Sequence, residues 1–450
     1  MFKDIKTIII FFSFIAFSKP ISSQIWDDIG FSPNKDINSV VPRVLFSESD
    51  TSKLYVGGNF IYTNFIMSHG IVTYDNNNGW QPLGSSLIDV LDIIKFNNDI
   101  YVGAYNGIFR WSGNKWDTIG LNDVGGIAKL FVFNNELYAG GVYNKIDTTI
   151  SNGLSKWNGT SWAQVGDYKK KCFGTIYDIN VYNGELYVFG QLTDTLGVPM
   201  NIARFDGQKW HRVTNLFNSS MDAIETTVIY NNELYVAGPF GKYQGSAFNF
   251  IAKFNGSTWS NVGIDGVTGL FSNSNGQIHK LRVIDNKLYA VGVFSHADNI
   301  DAQYIASWDG VKWCGYGNGF DNRITEIVKA NGTIFIGGGF WTYNTDSILR
   351  VAKWVGGNFV DTCAFSVGIE ELNNNIHFSI YPNPTTSIIN ITDENNQLQN
   401  ATIVIKNCLG QTVYSIPFSN QIDLSNLSAG MYFLTVEDKH NKKTIKIIKQ

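Results

Sequence analysis

The chain has 450 residues, enough for two or three domains with a sizeable core. Aromatic residues at 14%, 44 glycines and only 16% charged residues favour an all-β protein with many tight turns over a helical one. A net charge of −4 supplies no polybasic field for nucleic acid or an anionic membrane surface.

The first residues read as an export signal. Lys3 and Lys6 give a basic start, Ile8 to Phe17 is a short apolar run, Lys19-Pro20 breaks it, and Ser22-Ser23 are small residues suited to a peptidase. The run is too short to span a bilayer, so cleavage is expected between Ser23 and Gln24, with no transmembrane segment afterwards. Residues 1–23 are thus assigned to a signal peptide. Four cysteines (Cys172, Cys314, Cys363, Cys408) allow up to two disulfides, and their spacing fits no metal site.

From residue 24 to 365 one pattern recurs. A strand of the form Leu-Tyr-x-x-Gly is marked by Tyr55, Tyr101, Tyr138, Tyr187, Tyr235, Tyr289 and Phe335, at intervals of 37 to 54 residues. Each copy has an apolar strand before it and an Ile-Ala-x-Trp/Phe strand after it, such as Ile202 to Phe205. A fourth strand carries Trp-x-x-Val/Ile/Leu-Gly, as in Trp80 to Gly84, Trp116 to Gly120, Trp162 to Gly166 and Trp259 to Gly263. Repeats of this length built from four short strands predict a seven-bladed β-propeller.

Two kinds of connection alternate. Asn97-Asn98, Asn183-Gly184 and Asn331-Gly332 join first to second strands, and Asn158-Gly159, Asp206-Gly207 and Asn255-Gly256 join third to fourth. Such dipeptides accept positive φ and suit tight hairpins. The middle connections (Tyr143 to Asn152, Leu192 to Asn201, Gly241 to Asn249, Ser295 to Tyr304, Trp341 to Leu349) look long and irregular. Strand parity puts them, with the blade-to-blade links, at one end of the propeller, where function is expected. Trp26 to Gly30 also has the fourth-strand form, so it is expected on the outer edge of the blade containing Phe335, closing the ring, with the degenerate segment at Phe359 displaced or beside it.

Gly57-Gly58 followed by Tyr74 and Trp80, with Gly140-Gly141 and Gly337-Gly338 later, resembles the kelch family and related propellers. That resemblance implies the fold and no particular activity. After a polar linker at 366–377, Tyr381-Pro382-Asn383-Pro384, Leu409-Gly410, Leu427-Ser428-Ala429-Gly430-Met431-Tyr432 and the lysine-rich strand containing Lys446 come in order. This resembles the type A C-terminal sorting domain of the Bacteroidetes type IX secretion system. It implies that residues 378–450 form a small Ig-like β-sandwich whose partner is that secretion machinery, and that the protein is secreted or held at the outer-membrane cell surface.

The six histidines are scattered, no calcium loop occurs, and neither a metal nor another cofactor is expected. His296 with Asp298 and Asp301 is the best local polar cluster. Asp222, Asp265, Asp298 and Asp321 all fall in loops at the variable end, which keeps open a polysaccharide hydrolase or lyase. The regularly spaced tryptophans (Trp116, Trp162, Trp210, Trp259, Trp313) read as packing between blades. Aromatics outside that ladder are the binding candidates: Tyr143, Phe248 and Phe320, and above all Tyr243, Tyr304, Trp341 and Tyr343, with Asp298 and Asp301. The expected role is non-catalytic binding of a glycan or a protein, with polysaccharide cleavage as the alternative.

Overall fold

The computed structural model describes residues 25–31, 41–48, 53–63, 66–84, 87, 89–166, 174–194, 198–213, 223–240, 249–263, 267–268, 276–298, 300–356, 378–393, 398, 401–407, 411–437 and 442–450. The expected signal peptide with its Ser23/Gln24 cleavage point, the linker at 366–377 and the Phe359 segment lie outside these residues. Every regular element among the described residues is a strand. The chain divides into two compact units, Met1–Cys363 and Ala364–Gln450.

In the first unit the repeat becomes seven four-stranded antiparallel sheets, six of them formed by strands in chain order. The second sheet is typical: Val90–Phe96, Asp99–Ala104, Gly107–Trp111 and Trp116–Leu121. The seventh differs. Its first three strands are Ile324–Ala330, Thr333–Gly338 and Val351–Trp354, and its outer strand is Trp26–Asp28, paired Trp26↔Trp354 and Asp28↔Ala352. Trp26 therefore sits at the edge of the sheet that contains Phe335, the place its fourth-strand pattern requires.

The tight hairpins form as their residues dictate. Asn97 and Asn98 have φ of 49° and 69°, and Asn134 and Asn135 have φ of 49° and 60°, the left-handed pair that lets a two-residue turn follow the twist of its strands. The middle connections are more regular than expected. Lys145–Ile146 pairs with Thr149–Ile150, Thr342–Tyr343 with Asp346–Ser347, and His296–Ala297 with both Ile300–Asp301 and Val267–Thr268. The second sheet has no long middle connection at all, since Ala104 faces Gly107 across a short turn.

Buried apolar residues collect in seven clusters, each shared by two consecutive sheets. One contains Val44 and Tyr55 of the first sheet with Val90 and Ile93 of the second. Another joins Val328, Phe335 and Val351 of the seventh sheet to Leu45, Leu54 and Trp80 of the first. The first strands also touch in sequence, and Ile324–Ala330 of the seventh sheet contacts Pro42–Ser47 of the first. Thr325 Oγ1 donates to the Pro42 carbonyl there at 2.9 Å.

A bulge near the start of the first strand appears in six sheets, as between Val90 and Asp92 or Ile176 and Asp178. The residue after it occupies one equivalent position in every sheet: Val44, Asp92, Lys129, Asp178, Thr226, Lys280 and Glu326. Bulges re-aim a side chain, and at this position the side chain reaches a neighbouring sheet. Asp92 accepts from the Leu130 amide at 2.8 Å, Asp178 from the Thr227 amide at 2.6 Å, and Thr226 Oγ1 from the Leu281 amide at 3.1 Å. Lys129 lies between Asp92 and Asp178 at 3.6 and 3.5 Å. Burial opposes its charge, but the two carboxylates raise its pKa above the usual lysine value.

The tryptophan ladder fixes the outer strands. In most sheets the indole N–H donates to the carbonyl three residues after the tryptophan of the preceding sheet: Trp116 to Leu83 at 2.7 Å, Trp162 to Ile119 at 2.9 Å, Trp210 to Val165 at 3.0 Å and Trp313 to Val262 at 3.1 Å. The glycine that follows that carbonyl is needed because the ring lies against it. A Cβ on Gly166 (φ +75°) would stand 2.7 Å from Trp210 Nε1. Trp259 and Trp26 break the series, neither buried Nε1 having an acceptor among the described residues, and the sheet before Trp259 has Thr214 where the glycine should be. Cys314 is buried and disulfide-bonded, which fits the oxidising setting expected of an exported chain.

The second unit has a three-stranded sheet, Phe378–Tyr381, Ile388–Asp393 and Gln421–Asp423. It also has a four-stranded sheet in the order Thr412–Pro417, Thr402–Asn407, Gly430–Glu437, Lys442–Lys449. Phe378, Ile389 and Ile422 of one sheet share a core with Ile403, Tyr432, Leu434 and Ile447 of the other.

Candidate functional site

In each sheet of the first unit, the connection from second to third strand and the link to the next sheet leave from the same end. Aspartates in those links brace the neighbouring connection. Asp123, after the second sheet, accepts from the Asn144 and Lys145 amides at 2.9 and 3.2 Å. Its slight desolvation is outweighed by these bonds, so its carboxyl lies below the usual range. Asp321, after the sixth sheet, accepts from the Trp341 and Thr342 amides at 2.8 and 3.1 Å. Asp147 accepts from the Leu121 amide at 2.9 Å. Asp321, weighed as a possible reagent for glycoside cleavage, is thus a loop brace.

The aromatic candidates are placed differently from the expectation. Tyr343 is 5% exposed and packs on Phe320, ring centroids 4.8 Å apart. Tyr304 is also buried, with φ of 66°, in the core shared by the sixth and seventh sheets. Tyr143 is buried and donates to the Ala139 carbonyl at 2.7 Å. These rings fill space beneath the connections because each connection needs its own small core to hold its hairpin down. Neither Tyr304 nor Tyr343 offers a ligand much surface, and that corrects the sequence reading. Trp341 is half-buried, with the Arg350 guanidinium 3.9 Å from its ring centroid, a cation–π contact that covers one ring face. Asp301 is exposed and pairs with His296 at 3.1 Å; Asp298 is half-buried with φ of 49°. Tyr243, Phe248, Asp222 and Asp265 lie outside the described residues.

What this end does expose is an apolar group of side chains, one aromatic and the rest aliphatic. Tyr105 (58% exposed) in the middle turn of the second sheet, Leu121 at the end of its outer strand, Val124 in the following link, and Val142 and Ile150 (68%) in the middle connection of the third sheet all face solvent. They belong to one surface. Asn122 Nδ2 donates to the carbonyls of Tyr105 at 3.2 Å and Val124 at 2.8 Å, tying turn to link. The Val142 amide donates to the Gly126 carbonyl at 2.9 Å and the Asp147 amide to the Leu121 carbonyl at 2.8 Å, tying link to hairpin. Sequence reasoning passed over these residues, although an apolar residue inside an otherwise polar, aspartate-braced loop was there to be noticed.

Near the start of the first strands, Glu225 accepts from Gln277 Nε2 at 2.6 Å and faces His279 Nδ1 at 3.6 Å. This cluster holds one carboxylate, whereas hydrolysis of a glycosidic bond ordinarily calls for two flanking it. Among the described residues no three histidine, cysteine or acidic side chains stand together as a metal site.

In the second unit the motif residues serve one junction. Asn383 donates through Nδ2 to the Lys446 carbonyl at 2.7 Å and accepts from the Ile448 amide at 2.9 Å, binding the Tyr-Pro-Asn-Pro segment to the last strand. Pro382 and Pro384 bracket it, and both their peptide bonds are cis. Tyr432 is buried and donates to the Ser428 carbonyl at 2.9 Å, while Gly430 opens its strand. Tyr381 is half exposed, Lys446 faces Phe433 in register, and Gly410 lies outside the described residues.

Residues 379–450 match the family described as the secretion system C-terminal sorting domain. The second unit is such a domain, and the protein is secreted or displayed at the cell surface after handling by the type IX secretion system. Among the described residues no helix is long and apolar enough to cross a membrane. No curated protein matches the chain. Among solved structures it is similar to the extracellular domain of BT4673 from B. thetaiotaomicron, described as a one component system, at 11% identity and a TM-score of 0.46. That likeness covers 95% of this chain and 59% of the other, so the chain spans about three fifths of that length. It is also similar to the N-terminal domain of Nup159, at 11% identity and a TM-score of 0.41, over 73% of this chain and 94% of that one. Likenesses this distant are common among β-rich folds and carry no activity with them.

Proposed function

We propose that residues 24–365 form a seven-bladed, kelch-like β-propeller closed by the Trp26 strand, and that the exported protein is a non-catalytic binding module. The cyclic succession of shared cores, with the seventh sheet packed on the first, supports the ring. A propeller leaves only short, protected sheet edges, so no single sheet has to close on itself. The partner is an extracellular protein, held at the end that carries the long connections.

One observation carries the binding reading: the exposed apolar surface of Tyr105, Leu121, Val124, Val142 and Ile150. Contiguous apolar surface of this kind marks protein interaction sites, and here it rests on hairpins held by aspartate-capped amides, so little ordering is needed on binding. A glycan platform would instead call for several exposed flat rings, and of these tyrosines Tyr105 is exposed while Tyr304 and Tyr343 are buried.

The test uses the full-length secreted protein and a Tyr105→Asp/Ile150→Asp double variant. Binding to outer-membrane proteins and to culture-fluid proteins of the producing cell is measured alongside release of reducing ends from its polysaccharides. The expected result is saturable binding to a protein that the double variant loses, with no sugar release by either. Sugar release by the wild type, or equal protein binding by both forms, would reject the reading.

A further inference from the structure

A cavity of about 210 Å³ opens between the seventh and first sheets, at the end opposite the long connections. Its walls are Leu54, Tyr74 and Asn76 of the first sheet, and Ala330, Asn331, Thr333, Phe335, Lys353, Trp354 and Val355 of the seventh.

The cause lies in one position. From the second sheet on, the last residue of the first strand packs into the seam with the following sheet; in the first sheet the strand ends in Ser47, outside the shared core. In the second to sixth sheets it is Phe96, Phe133, Tyr182, Tyr230 and Ile284, each within the core shared with the sheet that follows. Tyr182 and Tyr230 also donate across the seam, to the carbonyls of Phe254 at 3.4 Å and Asn286 at 3.1 Å. In the seventh sheet the position holds Ala330. The space that a large side chain fills in five other seams is left open in this one.

The lining has a definite chemistry. Tyr74 and Trp354 contribute aromatic surface, and Tyr74 is fixed by an edge contact with Phe335, centroids 6.3 Å apart. Asn76, Asn331 and Thr333 contribute amide and hydroxyl groups. Lys353 is the one charged side chain of the lining, and Asp27 stands 3.4 Å from its ammonium, so the wall carries little net charge. Aromatic surface suits the C–H face of a sugar ring, and side-chain amides suit its hydroxyls. The volume is below the roughly 300–1,000 Å³ of sites that enclose a drug-sized ligand, which limits the occupant to one ring of a larger molecule.

We infer that this seam is a binding site for a neutral hexopyranose residue of a glycan, separate from the apolar surface at the other end. The full-length protein is titrated with the methyl glycosides of glucose, galactose and mannose, read by saturation-transfer NMR and calorimetry. At least one binds with a dissociation constant on the order of 1 mM, as suits a ligand of this size. Ala330→Tyr, which installs the side chain that Tyr182 and Tyr230 supply elsewhere, abolishes that binding while the thermal midpoint holds or rises. Asn331→Ala weakens it several-fold, and Tyr105→Asp/Ile150→Asp leaves it unchanged. Failure of all three glycosides to bind, undiminished binding by Ala330→Tyr, or loss of binding in the Tyr105/Ile150 variant instead would each overturn the inference.

Discussion

The Trp80 indole Nε1 donates to the Ile29 carbonyl at 2.8 Å, joining residues 51 positions apart in the chain. Trp80 ends the first sheet, and Ile29 follows the strand that completes the seventh. The same bond recurs between interior sheets, as from Trp162 to Ile119 at 2.9 Å. The seam between the seventh and first sheets is therefore fastened by the device used at four of the interior seams.

Trp80→Phe should cost about 1 kcal/mol, the usual worth of one hydrogen bond, and Trp162→Phe should cost the same. Urea unfolding of the two variants checks this. A free N-terminal segment would make the Trp80 change nearly silent while leaving the Trp162 change costly.

Gly166→Ala should destabilise more than Gly159→Ala. Both glycines have positive φ, +75° and +103°, so each change carries backbone strain on the order of 1 kcal/mol. A Cβ at Gly159 meets open space, whereas one at Gly166 stands 2.7 Å from Trp210 Nε1. The expected difference is about 1–2 kcal/mol, in the range of overpacking costs, measured by thermal unfolding.

Glu326 should make the first unit acid-sensitive. Burial alone would raise its carboxyl, but Lys280 at 3.0 Å and Arg282 at 3.1 Å hold it below the usual range. A carboxyl with a lowered folded-state pKa contributes stability above its unfolded value, near 4.3, and that stability is lost as pH falls through the folded value. Glu326→Gln should cost roughly 3 kcal/mol at pH 7, the low end for a buried pair because both cations keep some solvent. It should also flatten the stability profile below about pH 4. Urea midpoints from pH 3 to 7 for both forms provide the check.

Much of the fold is legible in the sequence because the repeat residues do local work. Asn97-Asn98 can be read as a tight turn and Trp162 as a seam residue without any coordinates. The candidate site was less legible. Tyr304 and Tyr343 look like loop aromatics, yet each supplies the small core that holds its own hairpin, so they are buried. Asp92, Lys129, Asp178 and Glu326 sit as charges inside apolar strands, and only the pairing of sheets reveals that they contact a neighbouring sheet. Ala330 draws no attention until its counterparts Tyr182 and Tyr230 are aligned in space.

Removal of residues 379–450 should leave the protein in the periplasm, since that segment is the sorting domain. Asn383→Ala removes both bonds to the last strand, at 2.7 and 2.9 Å, and should lower the amount exported without abolishing it. Fractionation and immunoblotting follow both variants. Undiminished surface or medium levels of the truncated protein would contradict the assignment.

Hydrogen exchange over the segment Ile25 to Phe31, in the full-length protein, tests the ring most directly. Its strand pairs with Val351–Trp354, the Val355 amide donates to the Ile25 carbonyl at 3.0 Å, and Trp26 and Phe31 are buried. The expected result is slow exchange in 25–31 that rises together with exchange in 351–355 as denaturant is added. Exchange of 25–31 at the rate of an unstructured chain, with 351–355 still protected, would contradict the closed propeller.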